Sequence, residues 1–209
     1  MSADDAKFAP PSEVDVTRLV LENPLAWVVS FSEDDFCATP LPLRPVLDAR
    51  GNVERLLGHC ARSNRLVEML KRDPRALLLF IGPNGYISPS WMADRTQAPT
   101  WNYATVQYLV DIEFIEEDAE LDAVMRDLVG AMEAGRLRAW STDDMGARYR
   151  TLARRIIAFN ARIRARRAKF KLGQDERDDV YADIVAGLET NGLHELRGWM
   201  RRANPNRDS

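Results

Sequence analysis

The spacing of apolar residues changes period several times along the chain, and each change marks an element. The run Leu25-Ala-Trp-Val-Val-Ser-Phe31 is β-branched and aromatic enough to predict a buried strand, and Phe36 to Leu43 predicts a second. Ser-Glu-Asp-Asp between them suits a hairpin turn. Asn52 to Gly58, entered through Arg50-Gly51, predicts a third strand, and Ala76 to Ile81 and Tyr103 to Ile115 predict two more. Over Ile156 to Arg164 the period is two: Ile157, Phe159, Ala161 and Ile163 face inward, and Ala158, Asn160, Arg162 and Arg164 face outward. Elsewhere the period is helical. Leu121, Val124, Met125, Leu128, Val129 and Met132 form one stripe on a helix from about Glu117 to Ala134. Shorter helices are predicted over Ser12 to Glu22, over Asn64 to Arg72 ahead of Asp73-Pro74, and over Glu176 to Glu189. Strands that mostly follow one another, with helices inserted late, predict a mainly β, α+β protein: an antiparallel sheet or closed barrel with appended helices.

Composition narrows the class. The chain has 209 residues, 45% of them apolar and 29% charged, which excludes wholesale disorder and suits one full domain. No apolar run approaches a bilayer span, and Met1-Ser-Ala-Asp-Asp lacks the layout of a signal peptide, so a cytoplasmic protein without a membrane partner is expected. Two cysteines and two histidines, without metal-ligand spacing, make a structural metal or a disulfide framework improbable. The formal charge of −3 conceals a polarity. Arg136 to Lys171 holds twelve Lys and Arg against Asp143 and Asp144, a local +10. That block either meets phosphates of a cofactor or nucleic acid, or pairs with the acidic stretch Asp111 to Asp122.

Two stretches carry candidate chemistry. In Gly58-His-Cys-Ala-Arg-Ser-Asn64 a strand ends and a helix begins, so His59, Arg62, Ser63 and Asn64 surround free N–H donors that favour an anion, phosphate above all. The plainer alternative is a capped helix with a locally satisfied histidine and a solvated arginine. The second stretch, Gly82-Pro-Asn-Gly-Tyr-Ile-Ser-Pro-Ser-Trp91 followed by Pro99-Thr-Trp-Asn-Tyr103, sets flat aromatic faces beside hydrogen-bonding groups, which suits a planar polar ring. Its alternative is a rigid aromatic plug at a barrel end. Cys37 and Cys60 read as inert thiols, and no hydrolytic constellation emerges.

Together with Phe170-Lys-Leu-Gly-Gln174, these stretches resemble the signature of the PaiB family of FMN-binding negative transcriptional regulators, which share the FMN-binding split β-barrel of the pyridoxamine phosphate oxidases. The family pattern runs G-H-x-A-x-x-N-P, then G-P-x-x-Y-I-S-x-S-W, then P-T-W-N-Y and F/Y-K-L-S-Q-N, in the order found here from about Lys7 to Leu188. The resemblance implies a split barrel, which with the chain length gives a single domain over 1–203, helical from about 174 to 203, and the composition of the end predicts a flexible tail at 204–209. It further implies a homodimer with FMN at the subunit interface. His59, Arg62, Ser63 and Asn64 would bind the phosphate end. Ser88, Ser90, Trp91, Thr100, Trp101 and Asn102 would line the ribityl chain or ring, and Lys171 and Gln174 would come from the second subunit. Three positions depart from the pattern: Pro40 replaces a histidine, Arg65 a proline and Gly173 a serine. Arg65 is expected to make up some phosphate binding, whereas Gly173 supplies no hydroxyl.

Three functions follow as expectations. The first is an FMN-binding homodimer, acting as an FMN-dependent oxidoreductase with His59 or Tyr103 as proton relay. The second is a transcriptional regulator that binds DNA through the basic 136–171 segment, where Arg162, Arg164 and Arg166 would track phosphates from one strand edge. The third is the same fold with haem or deazaflavin.

Overall fold

The structure is a computed structural model that describes residues 6–207. The chain order is α1 (Glu13–Glu22), β1 (Leu25–Phe31), β2 (Phe36–Leu47), β3 (Val53–Ala61), α2 (Arg65–Arg72), β4 (Arg75–Ile87), β5 (Thr100–Ile115), α3 (Asp118–Glu133), α4 (Arg148–Ala153), β6 (Ile156–Lys171), α5 (Asp178–Thr190) and α6 (His194–Ala203). All six expected strands form, and they close into a barrel in the order β1-β2-β3-β6-β5-β4. This is the mainly β, mixed α+β architecture that the strand-rich pattern predicts. None of the described helices is long and apolar enough to cross a membrane.

The registers show why these segments become strands. β1 and β2 form an antiparallel hairpin from Leu25↔Pro42 to Phe31↔Phe36, closed where Ser32 N–H donates to Asp35 O at 2.7 Å. The burial of β1 alternates along its length, so the side chains of Ala26, Val28 and Ser30 enter the interior. β2 continues into a hairpin with β3 whose turn is held by the Asp48 carboxylate, which accepts from the N–H groups of Arg50 and Asn52. Gly51 supplies the φ of +82° that this turn needs. β3 then pairs with β6, from Arg55↔Arg162 to Ala61↔Ile156. Strands 4 and 6 outrun their expected limits. Gly82 to Ile87, predicted as loop, extends β4, and β6 reaches Lys171.

The chain resolves into two compact units built from interleaved segments, one comprising residues 23–80 and 107–166, the other the described parts of 1–22, 81–106 and 167–209. In the first, α3 docks by Leu121 and Val124 onto Ala153 and Ala158, with Leu57 and Met125 at the margin. Ala158 was expected to face outward and is instead fully buried, because α3 covers that position. A polar clasp fixes α4 to the same helix: the buried Asp122 carboxylate accepts from the Tyr149 hydroxyl at 2.8 Å and from both Arg150 Nη atoms at 3.2 and 2.8 Å. The basic block meets the acidic stretch within the chain. Arg162 and Arg164 lie 3.3 to 3.6 Å from Asp111 and Glu113.

In the second unit, α5 and α6 pack with Phe170 edge-on to Trp199 at 5.6 Å. The expected loose tail differs as far as Arg207. Asn204 is buried and its amide donates to Leu172 O and Met200 O, while Arg207 donates to Gly173 O and pairs with Asp178. Asp208 and Ser209 lie outside the described residues.

Candidate functional site

The predicted site residues fall into two clusters. In the first unit, the end of β3 delivers Gly58-His59. Gly58 is a packing glycine: a Cβ there would stand 2.5 Å from Phe159 Cζ and 2.6 Å from Leu43 Cδ2. Strand alternation turns His59 to the opposite face, across from Ala158 of β6. Its Nδ1 is buried and has no hydrogen-bond partner, and burial holds its pKa below the ordinary histidine value. The imidazole is therefore neutral at pH 7 and carries one orphaned polar atom. The local carbonyl of the plainer reading does not reach it.

Three residues further on, the N–H of Arg62 donates to Arg155 O and its guanidinium stands 3.5 Å from Glu116, an exposed pair that solvent screens. Ser63 is exposed at the turn. Asn64, not Ser63, is the N-cap of α2: its Oδ1 accepts from Leu66 N–H at 2.9 Å, and its amide lies 3.4 Å from the Thr39 hydroxyl. His59, Arg62 and Ser63 thus precede a capped helix N-terminus, while the Asn64 side chain is occupied in capping. Arg65 forks onto both Asp35 carboxylate oxygens at 2.5 Å, so it braces the β1–β2 turn and does not supply the phosphate contact expected of it. Pro40 pairs with Trp27 of β1, before the stretch of β2 that meets β3, so its missing N–H costs that ladder nothing.

In the second unit, Ser88 Oγ accepts from Ser90 N–H at 3.2 Å and lies 2.7 Å from Ser90 Oγ, which fixes the turn that presents Trp91. The Trp91 ring lies on Gly187 of α5. β5 presents Trp101 outward, 55% exposed and 6.2 Å from the Tyr86 ring. Thr100 accepts a short hydrogen bond from Lys171 at the end of β6. Asn102 turns inward. At 1% exposure it donates to Met200 Sδ at 3.4 Å and leaves its Oδ1 unpartnered, so it supports packing beneath the strand. Gln174 closes the chain after β6 by accepting from Leu172 N–H and donating to Phe170 O. Between them, Gly173 adopts φ +79°, and a Cβ there would approach Met200 Cε to 2.9 Å, which explains glycine where the family pattern has serine.

Among the predicted residues, Arg62, Ser63, Ser90 and Trp101 are exposed, His59, Ser88, Trp91, Thr100 and Lys171 are partly buried, and the side chains of Asn64, Asn102 and Gln174 hydrogen-bond within the protein. Tyr86 was left out of the predicted site. Its signal lay in the alternation of Tyr86-Ile-Ser88, which turns the ring to the exposed face while Ile87 is buried. Cys60 is buried, and burial followed by the nearby Cys37 pushes its thiol up to about 11, which leaves it inert. Among the described residues no group of His, Cys, Asp and Glu forms a metal cluster.

Residues 5–165 match the family described as "Putative FMN-binding domain". The chain is 26% identical over 183 residues to the protease synthase and sporulation protein PAI 2 of Bacillus subtilis, covering 87% of this chain and 86% of that one. Its fold is similar to that of the conserved hypothetical protein Rv2991 of Mycobacterium tuberculosis, with TM-score 0.58, 15% identity and coverage of 82% and 89%. It is equally similar to the FAD and haem binding protein of Mycobacterium smegmatis, with TM-score 0.58, 20% identity and coverage of 85% and 79%. A glycine-backed histidine with an orphaned nitrogen before a helix start, the exposed aromatic cluster, the closed six-stranded barrel and these matches agree: this chain belongs to the PaiB family of FMN-binding split-barrel proteins.

Proposed function

We propose that this protein is a homodimeric FMN-dependent oxidoreductase in which His59, Arg62 and Ser63 take the flavin phosphate. The observation that supports this most directly is the buried, partnerless Nδ1 of His59 on the strand that leads into the capped helix. As the N–H tautomer it donates to a phosphate oxygen without first carrying a charge, and Arg62 adds a positive end that its weak pair with Glu116 does not consume. The chemistry of Ser88, Ser90, Thr100 and Lys171 suits the ribityl hydroxyls, and the exposed Trp101 and Tyr86 rings suit the edge of a flat heterocycle. Asn102 and Gln174 then act by holding the strands that carry those groups. When bound, FMN supplies the redox chemistry, accepting electrons from a reduced nicotinamide or a small organic substrate.

Dimerisation is supported by an apolar outer face of β1 and β4. Leu25, Trp27 and Phe31 are 62%, 48% and 64% exposed, and Trp27 pairs with Leu79 in register. A contiguous apolar strip of this kind marks an interaction surface. A monomer at micromolar concentration by sedimentation, unchanged by Trp27→Arg, would remove this part of the reading.

The regulator reading has less behind it, because the carboxylates of Asp111 and Glu113 lie 3.3 to 3.6 Å from Arg162 and Arg164 and lower the net positive charge of that strand edge. The discriminating experiment is a paired titration with FMN and riboflavin. FMN should bind more tightly than riboflavin, and His59→Ala should weaken FMN by about tenfold while leaving riboflavin unchanged. Equal loss for both ligands, or no flavin binding by the wild type, would refute the assignment.

A further inference from the structure

Residues 92–99 join the two stretches that the flavin reading gives to the ring, since Ser88, Ser90 and Trp91 precede them and Thr100 and Trp101 follow. They form neither helix nor strand, yet the segment is tied to α5 at three points. The Trp91 ring lies on Gly187, the Ala93 N–H donates to Asp183 Oδ2 at 2.8 Å, and Asp94 meets Arg177, the residue before α5, at 2.9 Å. Gly187 and Asp183 are four apart and share one face of the helix, so the segment runs along that face toward the helix start.

The tie at Asp94 is the most connected of the three. Its Oδ1 accepts from the Thr96 N–H at 3.1 Å and the Thr96 hydroxyl at 2.6 Å, and its Oδ2 accepts from Gln97 Nε2 at 2.7 Å as well as from Arg177 Nη2. The Thr96 hydroxyl, and then Arg177, hold the carboxyl well below the usual carboxylate range, so it is ionised at pH 7. A lone exposed ion pair would be screened by water. Here one carboxylate both shapes the turn that leads into β5 and moors that turn to α5. Arg177 also holds Asp179 at 3.0 and 3.1 Å, but Asp179 belongs to α5 itself and moors nothing else. We propose that Asp94 is a positioning residue: by clasping residues 92–99 to Arg177 it fixes the spacing between Trp91 and the Thr100-Trp101 pair, and so shapes the ring end of the flavin site. This role presupposes the flavin site proposed above, and it acts on the ring, where His59 acts on the phosphate.

The test is titration of the full chain with FMN and with riboflavin. Asp94→Ala should weaken both alike, by about fivefold, and change the visible circular dichroism of the flavin that still binds. Arg177→Gln should reproduce most of that loss, and the double variant should lose no more than Asp94→Ala alone, because the two residues act through one contact. Asp179→Asn, which removes the other partner of the same arginine, should leave both affinities unchanged. Without flavin, amide hydrogen exchange over residues 92–101 should be faster in Asp94→Ala than in the wild type. Far-ultraviolet circular dichroism checks that each variant is folded. Wild-type affinities and spectrum in folded Asp94→Ala would overturn this role alone, as would a loss confined to FMN, or an equal loss in Asp179→Asn. No flavin binding by the wild type would refute the flavin site, and this role toward the ring with it; unchanged exchange in Asp94→Ala would refute the clasp whether or not flavin binds.

Discussion

Gly187 sets two known effects against each other. In the last turn of α5 an alanine would ordinarily stabilise the helix by up to about 1 kcal/mol, since it loses less backbone freedom on folding. Here the new Cβ would stand 2.6, 2.6 and 2.7 Å from Cδ2, Cε3 and Cγ of Trp91, where carbon atoms settle at about 3.5 to 4.0 Å. The indole would have to retreat by about 1 Å, and overpacking of this kind costs roughly 1 to 3 kcal/mol. Gly187→Ala is therefore expected to be net destabilising by about 1 kcal/mol, and to move Trp91. Gly130 of α3 and Gly198 of α6 are matched controls, because a Cβ at either meets nothing within 4 Å. Both should gain up to about 1 kcal/mol on substitution by alanine. Urea unfolding at fixed protein concentration reads the difference: the Gly187→Ala midpoint should fall by about 0.5 M while the controls rise. Gly187→Ala with Trp91→Ala should lose less than the sum of the single changes, because the clash is gone. If Gly187→Ala stabilised the protein as much as Gly130→Ala, the packing of Trp91 on α5 would be refuted.

Other consequences follow from single groups. Burial lowers the His59 pKa, so between that value and 6.5 the unfolded chain binds more protons than the folded one. Stability should accordingly fall as pH drops through that window, and less so in His59→Phe; with only two histidines in the chain, NMR titration should show one imidazole titrating below 6.5 and moving upward when FMN is added. Desolvation and then the hydrogen bond to Asp122 push the Tyr149 hydroxyl up to about 12, so Tyr149→Phe should remove a component that ionises well above 10 from the ultraviolet titration, and the stability it contributes should decline as pH rises above 10. Tyr149→Phe should cost about 1 to 2 kcal/mol by removing a donor from a buried carboxylate, measured by urea unfolding at neutral pH. Gly173→Ser, the change toward the family pattern, should destabilise by about 1 kcal/mol and fail to tighten FMN binding, because φ +79° and the approach to Met200 both oppose a side chain.

Much of the fold was legible from one-dimensional patterns. The β1–β2 hairpin lies in the period-two runs on either side of Ser-Glu-Asp-Asp, and the stripe Leu121, Val124, Leu128 names the face that α3 buries. The family signature named the two clusters from which the proposed flavin site is drawn. It did not separate ligand-facing residues from the residues that hold them. Thr100, Trp101 and Asn102 are adjacent in sequence, yet strand alternation exposes Trp101 and seals Asn102 beneath Met200 of a helix some hundred residues away. No local pattern contains that contact.

The sequence by itself determined the centres of the six strands and of α1, α2, α3 and α5, because propensity, period and turn chemistry act over a few residues. It also determined the local roles of Gly51 and Asn64, since a left-handed turn and an N-cap are decided by their immediate neighbours. Only the tertiary structure decided what required distant chain segments to meet. The orphaned Nδ1 of His59 depends on burial at the β3–β6 pairing. The diversion of Arg65 to Asp35 and the pairing of Arg162 and Arg164 with Asp111 depend likewise on partners far off in sequence. A charged side chain's role is set by the nearest opposite charge and by how much water remains around it, and both are properties of the folded surface.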